Sequence, residues 1–383
     1  MLNIVFFNRV AFPEGNAMSK RHRLMIDYLC KDNNVRVSKY VSWKSKIMPN
    51  ENSIVGLYND KVFYQNTRYK PSIWSLLGIF IEGCKFLKKN CVPGDKNVVI
   101  FSTVLEIEQI CAFWYARHLG YKIVFDVVEN MAAPGTSITF SKKMSLFISK
   151  LCYKYANAFL VISTHLSHLF SQYRNKPICL MPNSVTRCPN INKKTFSKTF
   201  NIVYAGTFAP KDGISFLVKG FDLFSQRYTN VELILIGRKN SSLDKETEQI
   251  LKENSKISVK GFVDESTLNY YLRHADILAM TRCNSKFANY GFPFKLSEYL
   301  STGNTVIATN VGDVSKYILD GVNAYLIPPE DTNAIANIME YIYNNEEEAI
   351  MVGKRGQYVV DEYFDINKNG KMLVNFLLKE VCV

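Results

Sequence analysis

Short apolar runs rich in β-branched and aromatic residues alternate with longer amphipathic stretches along the whole chain. Such runs are typical of buried strands, and stretches with apolar residues every third or fourth position are typical of helices. In the first half, the pattern predicts strands at 3–7, 35–41, 98–102, 122–128, 158–163 and 178–182, and helices at 17–30, 72–89, 104–119 and 141–156. This alternation predicts an α/β domain with a parallel sheet and helices on both faces.

A polar, basic stretch without periodicity interrupts the alternation in the middle of the chain. The strand NIVYAG follows it, and further strands are predicted at 231–237, 256–262, 276–280, 305–309 and 324–328. We therefore predict an N-terminal domain at 1–185, a linker at 186–200, a second α/β domain at 201–355 and a helical tail at 356–383 that packs back on the N-terminal domain. The helical region from about 346 to 380 is expected to break near Asp365 and Asn369.

Two doubly wound, Rossmann-like domains in series predict a cleft between them, lined by the carboxyl ends of the strands of both sheets. Open parallel sheets bind their ligands at that edge, where the strand order reverses. The fold class is therefore α/β, with two such domains facing a cleft.

The charge is unevenly divided between the two halves. Of the 383 residues, 1–199 contain 28 Lys and Arg against 11 Asp and Glu, whereas 200–383 contain 19 against 23. A basic half is suited to an anionic partner, and lipid headgroups, nucleic acid and polyanionic substrates are the candidates. The alternative is that the excess of lysine and arginine serves solubility only. Nucleic acid is not expected, because no nucleic-acid-binding motif is present.

Composition and cysteine spacing exclude several classes of protein. The 47% hydrophobic content is that of a folded protein, and no apolar run approaches the roughly 18 residues of a membrane span. The N-terminus reads as a strand and not as a signal peptide, so we expect a cytoplasmic protein. The nine cysteines include no C-x-x-C pair, so we expect reduced thiols and no metal site. The histidines are expected in surface or core positions: His165 and His168 lack a third ligand, and His22, His118 and His274 stand alone.

Two basic amphipathic stretches, at 72–89 and 138–156, mix large apolar side chains with lysines. This composition is found in helices that lie in a membrane interface, although it is more often that of a core-facing helix with solvated lysines. Together with the basic first half, these stretches suggest peripheral attachment to an anionic inner membrane surface.

The segment GFPFKLSEYLSTGNTVIAT, from Gly291 to Thr309, predicts a loop, a short helix, a stop and a strand. On that helix Lys295 and Glu298 share one face. Free amides and the positive dipole at the helix start, with Lys295, could bind a diphosphate, and Glu298 could accept hydrogen bonds from a ribose. The alternative is an exposed Lys–Glu pair on a solvated helix.

The run P-x-K-L-x-E-Y-L-x-x-G-x-x-V-I-A-T resembles the retaining, GT-B fold nucleotide-sugar glycosyltransferases of the large family numbered four, the group 1 glycosyltransferases, and within it the P-x-K-x-x-E subgroup. The stretches 204–221, 231–237, 259–280 and 310–331 resemble other elements of that family in the same order. The resemblance covers about 200–365 closely and the first half in outline.

The resemblance implies a donor site in the second domain. Glu298 would bind the ribose, and Lys295 with the amides around Phe292, Pro293 and Phe294 would bind the diphosphate. Gly206 and Thr207 would approach the phosphates, Phe262 and Val263 would hold the base, and Lys211 and Arg238 are either phosphate ligands or plain surface cations. The chain departs from the family at three positions, where Thr207 replaces an arginine, Asp212 a lysine and Tyr290 a second glutamate.

The first domain is expected to bind the acceptor. Gly15 and Asn16 occupy the loop after the first strand, and Arg9, Lys20, Arg21 and Arg23 would make it electropositive for a phosphate-bearing acceptor. A solvated basic helix start is the alternative. Glu129 follows the strand at 122–128 and is the catalytic candidate on the acceptor side; a satisfied loop carboxylate is the alternative there.

The implied activity is retaining, metal-independent transfer of a hexosyl group from a UDP- or GDP-linked sugar to a sugar hydroxyl, without a further cofactor. Lys295, Glu298 and Glu129 are the catalytic candidates, and the acceptor would be a glycan on a lipid-linked carrier of a surface polysaccharide. Two rivals remain: a nucleotide-sugar-binding partner protein without turnover, suggested by Tyr290 and Asp212, and a GT-B epimerase that acts on the nucleotide sugar alone.

Overall fold

The computed structural model describes residues 1–42, 55–66, 73–130, 133, 139–189, 195–238 and 243–382, without the side chains of residues 73–76. The chain forms two compact units. The first comprises Met1–Ser184 together with Ile366–Val383, and the second comprises Val185–Asp365.

The first unit is built on a sheet that contains eight strands in the described residues, in the order β3-β4-β2-β1-β5-β6-β7-β8. The strands are β1 (Leu2–Asn8), β2 (Val35–Val41), β3 (Val55–Tyr58), β4 (Val62–Asn66), β5 (Lys96–Ser102), β6 (Lys122–Val127), β7 (Ala158–Val161) and β8 (Ile178–Leu180). The helices are α1 (Ala17–Leu29), α2 (Ile73–Asn90), α3 (Ile107–His118), α4 (Phe140–Tyr153), α5 (Thr164–Phe170) and, from the end of the chain, α14 (Ile366–Phe376). Strand β1 is buried throughout and pairs in parallel with β2 and β5, where the strand order reverses.

The hairpin β3–β4 was not predicted from the sequence. Its two strands pair antiparallel around a three-residue turn, residues 59–61, in which Asn59 and Asp60 have positive φ angles, 48° and 56°. Asn and Asp tolerate this left-handed conformation better than other residues with side chains. The turn dipeptide between two short runs was therefore the available signal.

The second unit contains six parallel strands in its described residues, in the order β11-β10-β9-β12-β13-β14. The strands are β9 (Phe200–Ala205), β10 (Val231–Ile236), β11 (Ile257–Gly261), β12 (Ile277–Met280), β13 (Thr305–Thr309) and β14 (Tyr325–Ile327). The helices are α6 (Ile214–Ser225), α7 (Lys245–Glu253), α8 (Glu265–His274), α9 (Lys286–Tyr290), α10 (Phe294–Thr302), α11 (Val314–Tyr317), α12 (Thr332–Asn344) and α13 (Glu346–Val359). This is the strand order of a Rossmann sheet, and the order reverses between β9 and β12.

The boundaries between the units differ from the predicted ones. Within the predicted linker, residues 190–194 lie outside the described residues, and the remainder belongs to the second unit, where Arg187 forms an ion pair with Asp361. The helical region does break at Asp365, but Asn369 lies inside helix α14, so a break there was a wrong prediction. Residues 356–365 belong to the second unit, and α14 buries Leu373 in the core of the first.

Candidate functional site

Helix α10 is anchored to the end of strand β9 by a buried tyrosine. The Tyr299 hydroxyl accepts a hydrogen bond from the Ala205 amide at 2.9 Å and lies 3.3 Å from the Ala205 carbonyl oxygen, to which it donates. Leu296 and Leu300 are completely buried beside it. Lys295 precedes Tyr299 by one turn and therefore lies at the carboxyl end of β9, next to the point where the strand order reverses. Ligands of open parallel sheets bind at this point.

The Lys295 ammonium forms a short ion pair with Asp212. The distance from Nζ to Oδ1 is 2.6 Å, and the side chains are 20% and 8% exposed. Asp212 ends a 3₁₀ turn, and its Oδ2 accepts hydrogen bonds from the Ala209 amide (3.3 Å) and the Thr207 hydroxyl (3.4 Å). Burial raises the pKa of Asp212, but Lys295 and the hydrogen bonds outweigh burial and hold this pKa below its ordinary value. The carboxylate thus stays ionised and orients the lysine.

An aromatic ring and a glycine enclose the same ammonium. Nζ lies 4.8 Å from the centroid of the buried Tyr204 ring, within the range of a cation–π interaction. A Cβ atom on Gly206 would lie 2.3 Å from Lys295 Cε and 2.7 Å from Nζ. Only glycine allows the loop after β9 to approach the lysine this closely. The predicted phosphate-binding glycine and lysine are therefore in contact.

Two further cations lie near Lys295. Arg282 is 8% exposed and donates from Nη2 to the Ala288 carbonyl at 2.9 Å, and Lys211 Nζ lies 4.9 Å from the Phe287 ring centroid. Burial is the main reason that the pKa of Lys295 lies below its ordinary value, and the charges of Arg282 and Lys211 lower it further. Three cations around one end of the sheet, with the N-terminus of α10, suit a diphosphate.

A second pair of predicted residues lies at the carboxyl ends of β10 and β11. The Arg238 guanidinium is 5.7 Å from the Phe262 ring centroid, and Phe262 is 72% exposed, while Val263 is half-buried. A large exposed aromatic ring next to a cation offers a stacking surface for a planar base.

The residues around the start of α10 divide into structural and accessible groups. The Phe292 side chain is buried against Tyr317 and Phe364, with ring centroids 5.3 Å and 5.5 Å apart, so only its backbone could meet a ligand. Pro293 has no N–H, which corrects the expectation that amides from all three of Phe292, Pro293 and Phe294 bind phosphate. Glu298 is half-buried one turn after the helix start.

In the first unit, Asn16 caps helix α1. Its side-chain oxygen accepts hydrogen bonds from the amides of Met18 (3.0 Å) and Ser19 (3.2 Å). Gly15 lies close to the same helix, because a Cβ atom on Gly15 would lie 2.3 Å from Ser19 Oγ. These contacts give both residues a structural role, and their role in acceptor binding stays a prediction.

Arg21 does not form the electropositive entry that was expected of it. Its side chain is 2% exposed, pairs with Asp126 at 2.9 Å and donates to the carbonyl oxygens of Met181 and Pro182. A guanidinium so deeply enclosed has no surface to offer a phosphate-bearing acceptor. We therefore do not retain Arg21 as an acceptor residue. Glu129 is half-buried just after β6 and stays a prediction.

Asp126 also belongs to a polar network at the reversal point of the first sheet. His22 Nε2 lies 3.2 Å from Asp126 Oδ2, and Lys39 Nζ lies 3.0 Å from both His22 Nδ1 and Asn8 Oδ1. All four residues are completely buried. His22 is thus a core histidine with partners. Burial lowers the pKa of Lys39 to about 7 and, with Lys39 nearby, that of His22 to about 4.

This network predicts a pH-dependent stability. Between the folded pKa of Lys39, about 7, and its ordinary value of 10.5, the unfolded chain binds a proton that the folded chain does not. The free energy of unfolding should therefore rise with pH by up to about 1.4 kcal/mol per unit from this group. Denaturant titrations of the wild type and Lys39→Met from pH 7 to 9 measure the difference. A difference in the free energy of unfolding between the wild type and Lys39→Met that does not change with pH would contradict the prediction.

Sequence reasoning missed Arg282, Tyr204 and Lys39. Arg282 comes just after strand β12, and Lys39 lies inside a run of buried strand residues, so position relative to a strand was the available signal. In the described ranges, no three His, Cys, Asp or Glu side chains form a group that could hold a metal ion.

Residues 199–345 match the family model described as glycosyl transferases group 1. That stretch is similar to a group 1 glycosyltransferase domain. The domain runs from the start of β9 through α12 and contains Lys295, Asp212, Glu298 and Phe262.

The chain is similar to the capsular polysaccharide biosynthesis glycosyltransferase CapM of Staphylococcus aureus, with 23% identity over 192 residues. The match covers 49% of each chain, so this chain spans about half the length of that relative.

Two solved structures share the fold over nearly the whole chain. The sucrose-phosphate synthase of Thermosynechococcus elongatus has a TM-score of 0.76 at 15% identity and is covered, like this chain, to 99%. Anabaena HepE in complex with UDP and glucose has a TM-score of 0.71 at 14% identity, with 99% of this chain and 100% of that chain covered. The predicted α/β architecture with two Rossmann-like sheets is therefore confirmed and matches GT-B glycosyltransferase structures.

Proposed function

We propose that the chain is a retaining glycosyltransferase that moves a sugar from a nucleotide diphosphate-sugar to a sugar hydroxyl. The observation that carries the proposal is the Lys295 ammonium, held by Asp212 at 2.6 Å and by Tyr204 at the carboxyl end of β9. A cation fixed in this way loses little freedom when a diphosphate binds. The group 1 glycosyltransferase match over 199–345 includes this lysine.

In the proposed complex, the diphosphate lies against both the Lys295 ammonium and the adjoining loop at Gly206, with Arg282 and Lys211 adding positive charge. Glu298 accepts hydrogen bonds from the ribose, and the base stacks on Phe262, next to Arg238. We favour uracil as the base, because HepE, which shares the fold, is described in complex with UDP and glucose. GDP is the alternative.

The reaction breaks the bond between the anomeric carbon and the leaving phosphate oxygen. The acceptor hydroxyl oxygen forms the new bond on the same face of the sugar, and its proton passes to the leaving phosphate. Negative charge grows on the diphosphate as the bond breaks, and preorganised cations stabilise it. Lys295 and Arg282 supply this charge, so we propose that the reaction needs no metal ion.

We further propose that the acceptor is a glycan on a lipid-linked carrier and that the protein works in the cytoplasm at the inner face of the membrane. The similarity to a capsular polysaccharide glycosyltransferase and the excess of Lys and Arg in residues 1–199 support this part of the proposal.

Product analysis tests the proposed activity. The purified chain is incubated with UDP- and GDP-linked hexoses, with and without a panel of alkyl glycosides and with a chelator as a control, and products are identified by NMR. Transfer that keeps the anomeric configuration and resists the chelator is the expected result. Conversion of the donor alone into an epimer would favour the epimerase, and donor binding without any product would favour a non-catalytic partner protein.

Substitution of Glu298 tests its proposed contact with the ribose, and Glu253 provides the matched control. Glu298→Ala should weaken donor binding about tenfold or more, because one charged hydrogen-bond acceptor for the ribose is lost. Glu253→Ala removes an exposed carboxylate from α7 of the same unit and should leave the donor affinity unchanged. Equal affinities of the two variants would exclude Glu298 from the ribose site.

A further inference from the structure

Helix α4 turns its large apolar side chains toward solvent. Phe140 is 79% exposed, Met144 48%, Phe147 61% and Leu151 42%. Their spacing of three and four residues makes one continuous row along the helix. A helix on the surface of a globular domain normally turns such a row toward the core.

Hydrogen bonds on the opposite face fix this orientation. The Ser149 hydroxyl donates to the Ser145 carbonyl at 2.6 Å and accepts from the Leu105 amide at 2.9 Å. The buried Tyr153 donates from its hydroxyl to the Thr103 carbonyl. The serines and this tyrosine therefore face inward, and the row from Phe140 to Leu151 is held outward.

The two neighbouring helices extend the exposed row into a surface. Helix α3 packs against both α2 and α4, and the Trp114 ring of α3 lies 5.1 Å from the Tyr155 ring that follows α4. We call the combined surface the outer apolar face, and its members are Leu77, Ile81, Ile107, Trp114, Phe140, Met144, Phe147, Leu151 and Tyr155, each more than 40% exposed.

Exposed lysines lie on two of the helices that form the outer apolar face. Lys143, Lys150 and Lys154 are exposed on or just after α4, and Lys85, Lys88 and Lys89 are exposed on α2. The sequence contains no Asp or Glu between residues 130 and 211. An apolar surface bordered by lysines is complementary to an anionic lipid surface, with lysine heads at the phosphates and apolar groups below them.

We propose that the outer apolar face docks on an anionic lipid bilayer. None of the helices in the described part of the chain combines the length and apolarity that a bilayer span requires, so the helices would lie in the interface plane. A second copy is a poorer occupant, because two such faces would bring their lysines together. The inference rests on the proposed function in one respect, because docking would bring the enzyme to the membrane surface that carries its proposed lipid-linked acceptor.

Vesicle flotation of the full chain tests the docking. The wild type should float with vesicles of phosphatidylcholine mixed with phosphatidylglycerol and much less with phosphatidylcholine alone. Phe147→Ser and the pair Lys143→Glu with Lys150→Glu should each reduce the bound fraction about tenfold. Leu319→Ser and the pair Lys245→Glu with Lys252→Glu change similarly exposed residues of the second unit and should bind like the wild type.

Two further readouts keep the result interpretable. Brominated lipids should quench Trp114 fluorescence, with the quenched part absent in Trp114→Phe. Size-exclusion chromatography should give the same elution volume for the wild type and Phe147→Ser, whereas a dimer lost in Phe147→Ser would overturn the proposal in favour of a second copy. Wild-type protein that does not float, or Phe147→Ser that floats equally well, would also overturn it.

UDP binding, measured on the same samples, reports the second unit separately, so failure of docking and failure of the proposed function are distinguishable.

Discussion

Replacing Lys295 by methionine is expected to reduce kcat/KM for the nucleotide-sugar about 100- to 1,000-fold, the usual effect of removing one preorganised donor to a developing negative charge. Methionine keeps most of the apolar stem, so packing against Gly206 largely remains, whereas the ion pair with Asp212 and the cation–π contact with Tyr204 are lost. Steady-state kinetics of donor hydrolysis or transfer measure the loss. Lys286→Met removes an exposed lysine from α9 and should leave kcat/KM unchanged.

Asp212→Asn removes the negative charge next to Lys295 but keeps a hydrogen-bond acceptor in the same position. The amide can still accept a hydrogen bond from Lys295, but the carboxylate that raises the pKa of Lys295 is gone. If the protonated lysine is needed, the alkaline limb of the pH–rate profile should move to lower pH in this variant. An unchanged limb together with full activity would contradict the assigned role of Asp212 as a positioning residue.

Gly213→Ala is expected to cause a large loss of stability, about 4 kcal/mol, a size that marks a direct backbone clash. Gly213 follows Asp212 and has a φ of 66°, and a Cβ atom there would lie 1.9 Å from the Thr281 carbonyl oxygen. Relief of this clash requires the turn that holds Asp212 to move away from the end of β12. Chemical denaturation measures the stability, and donor binding should fall with it.

Gly261→Ala is the matched control for this substitution. Its φ is 69°, nearly the same, but nothing lies within 4 Å of the added Cβ atom. Only the left-handed backbone penalty of about 1 kcal/mol should remain. Equal losses in the two variants would show that the contact with Thr281 has no energetic weight.

The sequence predicted most strands because the parallel strands of both sheets are largely buried on both faces, so these strands appear as continuous apolar runs. TVIAT at 305–309 matches strand β13 residue for residue. The hairpin at 55–66 was missed since its first strand is largely exposed, with Val55 at 53% and Leu57 at 59%, and lacks such a run. The unit boundary at Asp365 could not be placed, because helical periodicity continues on both sides of it.

The site was predictable where local spacing determines it. Lys295 and Glu298 on one helix, and a glycine after β9, follow from the sequence alone. The pairing of Lys295 with Asp212 joins residues 83 positions apart and depends on how α10 packs on β9. For the same reason Arg21 was misjudged, because its partner Asp126 lies on a distant strand.

The ion pair with Lys295 changes the interpretation of Asp212, the residue that replaces a lysine of the family pattern. From the sequence, an acidic residue at this place suggested loss of turnover. In the structure, the carboxylate orients the lysine that lies against Gly206. The departure is therefore compatible with a site that still binds a diphosphate, with Lys211 and Arg282 offsetting the added negative charge.

Calorimetric titration of UDP and GDP into the wild type and Lys295→Met tests the central claim most directly, because it needs neither the sugar nor the acceptor. We expect one of the two nucleotides to bind the wild type, and the variant to bind it about tenfold or more weakly, since a charged contact to the diphosphate is lost. If neither nucleotide binds folded wild-type protein, or both proteins bind with equal affinity, Lys295 does not form part of a donor site.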